Sequence, residues 1–332
     1  MLQAQWTDTG IGLHDVDPGA LKPGFVRLRV TACGICGSDL HRYRDTASPL
    51  GREVTPGHEF VGTIMDGGDT GLPDALYGVD PWQACGHCDF CLRGRSEGCR
   101  NGLLAGVFVP GGLGEFFDAP AANVHAQDPA LSSLEASLNE PFAVCVRSIH
   151  LAELKLDSRV LVIGGGTLGL ICGLLARDFA GRVAVTTRYA HQTEAARRLG
   201  VEPVLEADTD AFAADFEPDV VIESVGGSAN TIEQAMNAAR VGGTVVVQGL
   251  FADKVAFDPR TLVFKELHIT GSKIYGQGFH GPEFAAATAL LPRYRDEIHA
   301  LQTQQFPLSR VEEAFAVASD RSTPTIKVTV LA

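Results

Sequence analysis

Long apolar runs are missing from this 332-residue chain. None reaches the roughly 20 residues that a membrane-spanning helix needs. Basic charge is also scarce, with 27 Lys and Arg against 40 Asp and Glu and a formal net charge of −13. A nucleic-acid-binding face needs a surplus of cations to neutralise phosphates, so the acidic balance argues against that class. Cysteine is sparse, at 8 residues, and no charged-then-apolar leader opens the chain at MLQAQWTDTG. Together these predict a cytoplasmic compartment and reduced thiols rather than a disulfide framework. Internal repeats and low-complexity tracts are absent. What is left is ordinary for a globular enzyme, 45% hydrophobic and 20% charged. The length suggests two domains.

The few cysteines are concentrated. Cys85, Cys88, Cys91 and Cys99 spell C-x2-C-x2-C-x7-C in CGHCDFCLRGRSEGC. Four thiolates so spaced can wrap one tetrahedral Zn²⁺, and a four-sulfur shell leaves no open position for substrate. This predicts a structural zinc. A zinc finger on nucleic acid would use a similar shell, but the acidic balance argues against it.

The chain changes character along its length. Residues 1 to about 145 carry short apolar runs (FVRLRV, FVGTIM, ALYGVDPW, GEFFDAP) between Gly- and Pro-rich turns, which predicts strands. From Leu156 to Lys273 the runs RVLVI, RVAVT, DVVIES, TVVVQG and HITGS alternate with helical stretches such as LGLICGLLARDF and ANTIEQAMNAAR. That alternation predicts an α/β doubly wound parallel sheet. In the tail, helices are expected near Glu283–Arg295 and Ser309–Ala318, the second opened by a Ser309/Glu312 capping box. The last run, TIKVTVLA, alternates like a strand and is expected to rejoin the first domain.

RVLVI runs into Gly164-Gly165-Gly166-Thr167-Leu168-Gly169 and then a helix. A bare GxGxxG is weak in a chain with 37 glycines, but between a strand and a helix it predicts a dinucleotide site. Gly164 permits the tight turn, Gly166 lets a pyrophosphate approach, and Gly169 lets helix and strand pack closely. An NAD site usually ends its second strand in Asp or Glu, which accepts from the adenosine ribose. Here Thr187 takes that place and Arg188 follows. With no carboxylate to repel a 2′-phosphate and a guanidinium to grip one, NADP(H) is favoured over NAD(H).

In the first part, Cys36-Gly37-Ser38-Asp39-Leu40-His41, Gly57-His58-Glu59 and Glu140-Pro141 carry the remaining chemistry. Cys, His and carboxylate are zinc ligands, and a catalytic zinc keeps one position open. Each residue alone has a structural explanation. Cys33, three before Cys36, has no partners and is expected in the core.

Taken in order, CGSDLH, GHE, the four-cysteine lobe, EP and GGGTLG resemble the zinc-dependent medium-chain dehydrogenases/reductases, the alcohol dehydrogenase–sorbitol dehydrogenase superfamily. The resemblance runs from near residue 1 to the end. It implies a GroES-like catalytic domain of residues 1–144 and 277–332 and a Rossmann domain of residues 145–276. It implies two zincs per chain. Cys36, His58 and Glu140 would hold the catalytic one, with Glu59 a ligand in some states and Asp39 orienting His58. Ser38 and His41 would form a proton path to solvent, and Thr167, Leu168, Val225, Gly249 and Lys273 would add cofactor contacts. The implied activity is hydride transfer between NADP(H) and an alcohol/carbonyl pair, a secondary alcohol or polyhydroxylated substrate. An NAD-linked polyol or sugar dehydrogenase is the alternative. A non-catalytic or quinone-reductase-like relative would lack Cys36, His58 and Glu140. In polyol dehydrogenases an arginine precedes the tyrosine after the last sheet strand, whereas here Ile274 precedes Tyr275. Arg42 and Arg44 lie just past the proton path; they read foremost as surface arginines, and could instead favour a polar or anionic substrate. No membrane or nucleic-acid partner is expected; a homo-oligomer, dimer or tetramer, is.

Overall fold

The computed structural model describes residues 1–44, 54–278 and 281–332. The chain forms two compact units, Met1–Glu140 with Phe284–Ala332, and Pro141–Glu283.

The first unit is built on a seven-stranded sheet. Its path runs Gln302–Pro307, Lys327–Leu331, Phe25–Gly34, Glu59–Asp66, Leu76–Val79 and Val124–Ala126, with Phe116–Pro120 also pairing Phe25–Gly34. Alternation explains Phe25–Gly34: Val26, Leu28, Val30 and Ala32 are buried in step, so one face meets the core. That core gathers Trp6, Phe60, Tyr77, Leu113, Phe117, Phe306 and Phe315. The final strand returns from the far end of the sequence to lie antiparallel to Phe25–Gly34, pairing Thr329 with Gly34 and Val330 with Cys33. Cys33 is a core residue, as its lack of partners implied.

The second unit holds six parallel strands in the spatial order Glu202–Leu205, Arg182–Thr187, Arg159–Ile163, Val220–Glu223, Thr244–Val247, His268–Gly271. Numbered from Arg159–Ile163 this is 3-2-1-4-5-6, the doubly wound dinucleotide-binding order. The five apolar runs singled out in the sequence all become strands of this sheet; four are short, Val-rich and largely buried within it, whereas His268–Gly271 forms its mostly exposed edge. The order reverses between Arg159–Ile163 and Val220–Glu223, and ligands of such sheets sit outside the carboxyl ends at that point.

Two details of the tail differ from expectation. Glu283–Leu290 is helical, but Pro292 turns the following Leu291–Tyr294 into a 3-10 segment. The last helix begins at Val311, preceded by a 3-10 turn Leu308–Arg310 that contains Ser309. Ser309 is therefore no cap, and Arg310 instead grips Glu313. A true capping box lies at Ser132 and Glu135, where the Ser132 hydroxyl accepts from the Glu135 amide and the carboxylate accepts from the Ser132 amide.

Candidate functional site: two donor clusters and a glycine cradle

The first cluster is set by sheet register. Glu59 opens its strand opposite Gly34, and the chain leaving Gly34 turns at Cys36 into the helix Gly37–Arg44. Asp39, in the first turn of that helix, folds back so that its carboxylate accepts from the Cys36 amide at 3.0 Å. The same carboxylate, fully buried, puts Oδ1 3.8 Å from His58 Nδ1. The donor atoms of Cys36, His58 and Glu59 then lie within 4.8 Å of one another. Ser38 Oγ lies 3.5 Å from His58 Nε2.

Glu140 lies outside that trio but within its field. Burial pushes its carboxyl up to about 8, with His58 opposing and Glu59 adding to the shift. Burial also disfavours a charged His58, yet Cys36 and Asp39 outweigh it and hold the imidazole well above its ordinary value. Desolvation raises Asp39 against the pull of His58. One thiol, one imidazole and two carboxylates crowded at low dielectric are the donors of a catalytic zinc site. His58 Nδ1 and Asp39 Oδ1, both buried, make no hydrogen bond among the described residues. A small rotation would let Nδ1–H donate to Asp39 and leave Nε2 for a metal, the usual way a ligating imidazole is oriented. The residues fit Zn²⁺.

Sequence reading missed Lys327. Its ammonium donates to Glu59 Oε2 at 2.5 Å and to the Ile35 carbonyl at 3.1 Å, with both side chains nearly inaccessible. The signal was present: one charge inside TIKVTVLA, on a strand whose other side chains are apolar or hydroxyl-bearing. His41, one helical turn past Ser38, is exposed. Partial burial, then Arg44 and Arg321, lower its pKa below the ordinary value. Arg42 is half-buried and donates to the Gly106 carbonyl at 3.0 Å, and Arg44 donates to the Ser319 carbonyl at 2.8 Å; neither is a free surface cation.

The second cluster is the four-cysteine lobe. Cys88 and Cys91 sulfurs are 3.6 Å apart, Cys88 and Cys99 sulfurs 3.8 Å, and all four lie within 4.8 Å of one another. A tetrahedral Zn–S shell at the usual bond length has edges of about 3.8 Å, so the residues fit. Backbone amides aim at the thiols: those of His87 and Cys88 bring Cys85 down to about 6, while burial and neighbouring thiols push Cys91 up to about 12. The lobe has little apolar core of its own. Trp82 donates to the Ser96 carbonyl at 2.8 Å and covers Gly102, where a Cβ would meet the ring at 2.2 Å.

In the second unit the expected residues gather at strand ends. Gly164 follows Ile163, Thr187 and Arg188 end and follow the second strand, and Val225, Gly249 and exposed Lys273 each lie two residues past their strand ends at Glu223, Val247 and Gly271. Gly164 adopts φ +114, open only to glycine. A Cβ on Gly169 would lie 1.7 Å from the Gly164 carbonyl oxygen, whereas one on Gly166 would meet nothing within 4 Å. The first is packing; the second is an open cradle at the N-terminus of the helix Thr167–Arg177, with Thr167 and Leu168 as its first residues. Such a cradle fits a pyrophosphate.

Thr187 is turned inward, its hydroxyl 2.8 Å from that of Thr193 and 3.3 Å from the Val204 carbonyl. Arg188 is engaged by Glu206, another residue the sequence reading missed. Glu223, also missed, is completely buried and accepts from the amides of Val225 and Gly226 at 2.8 and 2.9 Å and from Thr231 Oγ1 at 2.7 Å. It shapes the loop that Val225 begins. Ile274 sits at φ +50, a rare setting for a β-branched residue.

Comparison with known proteins bears on the family and the fold. Residues 22–129 match the alcohol dehydrogenase GroES-like domain, and residues 167–291 match the zinc-binding dehydrogenase model. The chain is 28% identical over 300 residues to the L-galactonate-5-dehydrogenase of Escherichia coli K12, covering 87% of this chain and 86% of that protein. It is 25% identical over 309 residues to the D-arabitol-phosphate dehydrogenase of Enterococcus avium, with 87% and 85% covered. A protein of Sinorhizobium meliloti 1021, described as a zinc-binding dehydrogenase and solved with NADP bound, superposes with a TM-score of 0.88 at 28% identity over the whole of both chains. The doubly wound sheet, the GroES-like part and the two family models together make this chain a member of the zinc-dependent medium-chain dehydrogenases/reductases.

Proposed function

We propose that this oxidoreductase moves a hydride between NADP(H) and an alcohol/carbonyl pair, with a polyhydroxylated small molecule as substrate. The observation that carries the reading is the meeting of Cys36, His58 and Glu59 donor atoms within 4.8 Å. Cys36 and His58 would hold a catalytic zinc with Glu140, and Glu59 would exchange in. Cys85, Cys88, Cys91 and Cys99 would hold a structural one. When bound, the catalytic zinc supplies Lewis acidity toward an oxygen and the nicotinamide supplies a two-electron hydride carrier.

The chain's own residues do the rest. Asp39 fixes the Cys36 backbone and faces His58, which sets the ring plane. Lys327 balances Glu59. Ser38 is the hydroxyl beside His58 able to relay the proton an alcohol loses, accepting it as it passes its own toward His41, which is exposed, lowered in pKa and able to release a proton to water. Gly164, Gly166, Gly169, Thr167 and Leu168 would cradle the pyrophosphate, and Val225, Gly249 and Lys273 would line the remaining length of the dinucleotide. Residues 1–144 with 277–332 would serve as catalytic domain and 145–276 as cofactor domain.

Galactonate and arabitol phosphate, named for two relatives, are polyols with an anionic end. That supports the polyhydroxylated class. The Arg188–Glu206 pair favours a second reading, NAD(H), because it puts a carboxylate beside the residue that follows the second strand, near the place where an NAD site usually carries its acid. A homo-oligomer is supported by the sheet's last strand, His268–Gly271, an edge that is mostly exposed, beside Val263 and Phe264 at 69% and 79% exposure. Eight free cysteines support a cytoplasmic setting, and among the described residues no helix is long and apolar enough to cross a membrane.

Zinc analysis with a panel of sugar alcohols, aldonates and their phosphates, followed at the nicotinamide absorbance with NADP⁺ and NAD⁺, tests the reading. Two zincs and NADP⁺-dependent oxidation of a polyol support it. No metal and no dehydrogenation would refute it.

A further inference from the structure

Arg188 and Glu206 are neighbours by register. Thr187 pairs with Leu205 across parallel strands, so the next residue on each strand is brought side by side. The guanidinium donates Nη2–H to Glu206 Oε1 at 2.5 Å and Nε–H to Oε2, a two-pronged grip. The pair is half-exposed, at 53% and 42%. Glu206 is held below its ordinary value chiefly by the Arg188 hydrogen bond.

We propose that Glu206 tempers the preference for NADP(H) by competing with the adenosine 2′-phosphate for the Arg188 fork. The inference rests on the reading above that Arg188 meets the 2′-phosphate. A phosphate and a carboxylate want the same planar set of donors, and they repel each other. An exposed ion pair contributes little, while a phosphate carries nearly twice the charge of a carboxylate. The phosphate therefore wins, but against a residue that must let go. NAD(H) has no such group and leaves the pair intact. Glu206 thus weakens NADP(H) alone and narrows the gap between the two cofactors.

The test is calorimetric titration of the zinc-loaded full chain with NADP⁺, NAD⁺ and adenosine 2′,5′-bisphosphate. It uses wild type, Glu206→Gln, Arg188→Ala and the double variant. Both substitutions lie at half-exposed positions, so a melting curve suffices to show folding. Glu206→Gln should bind NADP⁺ and the bisphosphate roughly two- to fivefold tighter and change its NAD⁺ affinity by less than about twofold. The gain should vanish in the Arg188→Ala background. If Arg188→Ala weakens NADP⁺ while Glu206→Gln leaves it unchanged, the competition is refuted and the Arg188 reading stands. If Glu206→Gln weakens NADP⁺, the carboxylate orients the fork rather than competing for it. If it weakens NAD⁺, Glu206 is a ribose acceptor. Either result overturns the inference. If Arg188→Ala alters neither cofactor, the 2′-phosphate reading itself fails and the competition fails with it.

Discussion

Lys327 Nζ lies 2.5 Å from Glu59 Oε2, and the two residues are 268 positions apart in sequence. The last strand of the chain thus neutralises a carboxylate at the edge of the donor cluster. Two buried ions cost desolvation that their attraction only partly offsets, but removing one partner leaves the other uncompensated. Lys327→Met should therefore destabilise the fold by about 3–5 kcal/mol, read as a lower urea midpoint at unchanged slope. A variant as stable as wild type would show that Glu59 is balanced by something else.

The cysteine lobe should behave as a staple. Cys99→Ser leaves three sulfurs, so the chain should lose about one zinc and become sensitive to mild chelators, because structural zinc contributes directly to folding. Metal content and melting temperature under chelator are the measurements. Unchanged values for both would rule out a zinc on this lobe.

Gly166 and Gly169 should separate binding from folding. An alanine at Gly169 must push its Cβ against the Gly164 carbonyl, which should cost about 2–4 kcal/mol of stability. An alanine at Gly166 meets nothing, so the chain should melt within about 0.5 kcal/mol of wild type. It should nonetheless bind dinucleotide at least roughly tenfold more weakly, because the methyl fills the cradle. Equal cofactor affinity in Gly166→Ala would place the pyrophosphate elsewhere.

Much of this was legible in sequence. Strand runs, the glycine turn and the cysteine spacing are local, and local periodicity survives into the fold. What escaped notice was non-local. Glu206 meets Arg188 only through sheet register, and Lys327 meets Glu59 only because the last strand joins the first unit's sheet. The Ser309 box failed for another reason. S-x-x-E fits many turns, and here the chain enters its helix through a 3-10 turn that puts Arg310 at the cap.

Glu283 shows a second long-range charge cluster, and its pH dependence can be given a direction. It is fully buried and accepts from His150 Nδ1 at 2.8 Å, the Gly276 amide at 2.6 Å and Arg147 at 3.4 Å. Burial raises its pKa, but these hydrogen bonds and charges outweigh it and the carboxyl lies below its ordinary value. Its stabilisation is therefore complete above the unfolded value of about 4.3 and lost as pH falls through the lower folded value. Glu283→Gln should lose about 1–3 kcal/mol at pH 7, and the deficit should shrink below pH ~4. A deficit that stays constant down to acid pH would mean the charge contributes nothing.

The zinc content and turnover of Cys36→Ser and His58→Ala, measured beside wild type, test the central claim most directly. Both residues place a donor atom in the cluster that includes Glu59, so each variant should fold, retain about one zinc on the cysteine lobe, and lose turnover by at least roughly a thousandfold. Wild type should hold about two zincs per chain. A Cys36→Ser or His58→Ala chain that kept both zincs and near-normal turnover would contradict the assignment of this cluster as the catalytic metal centre.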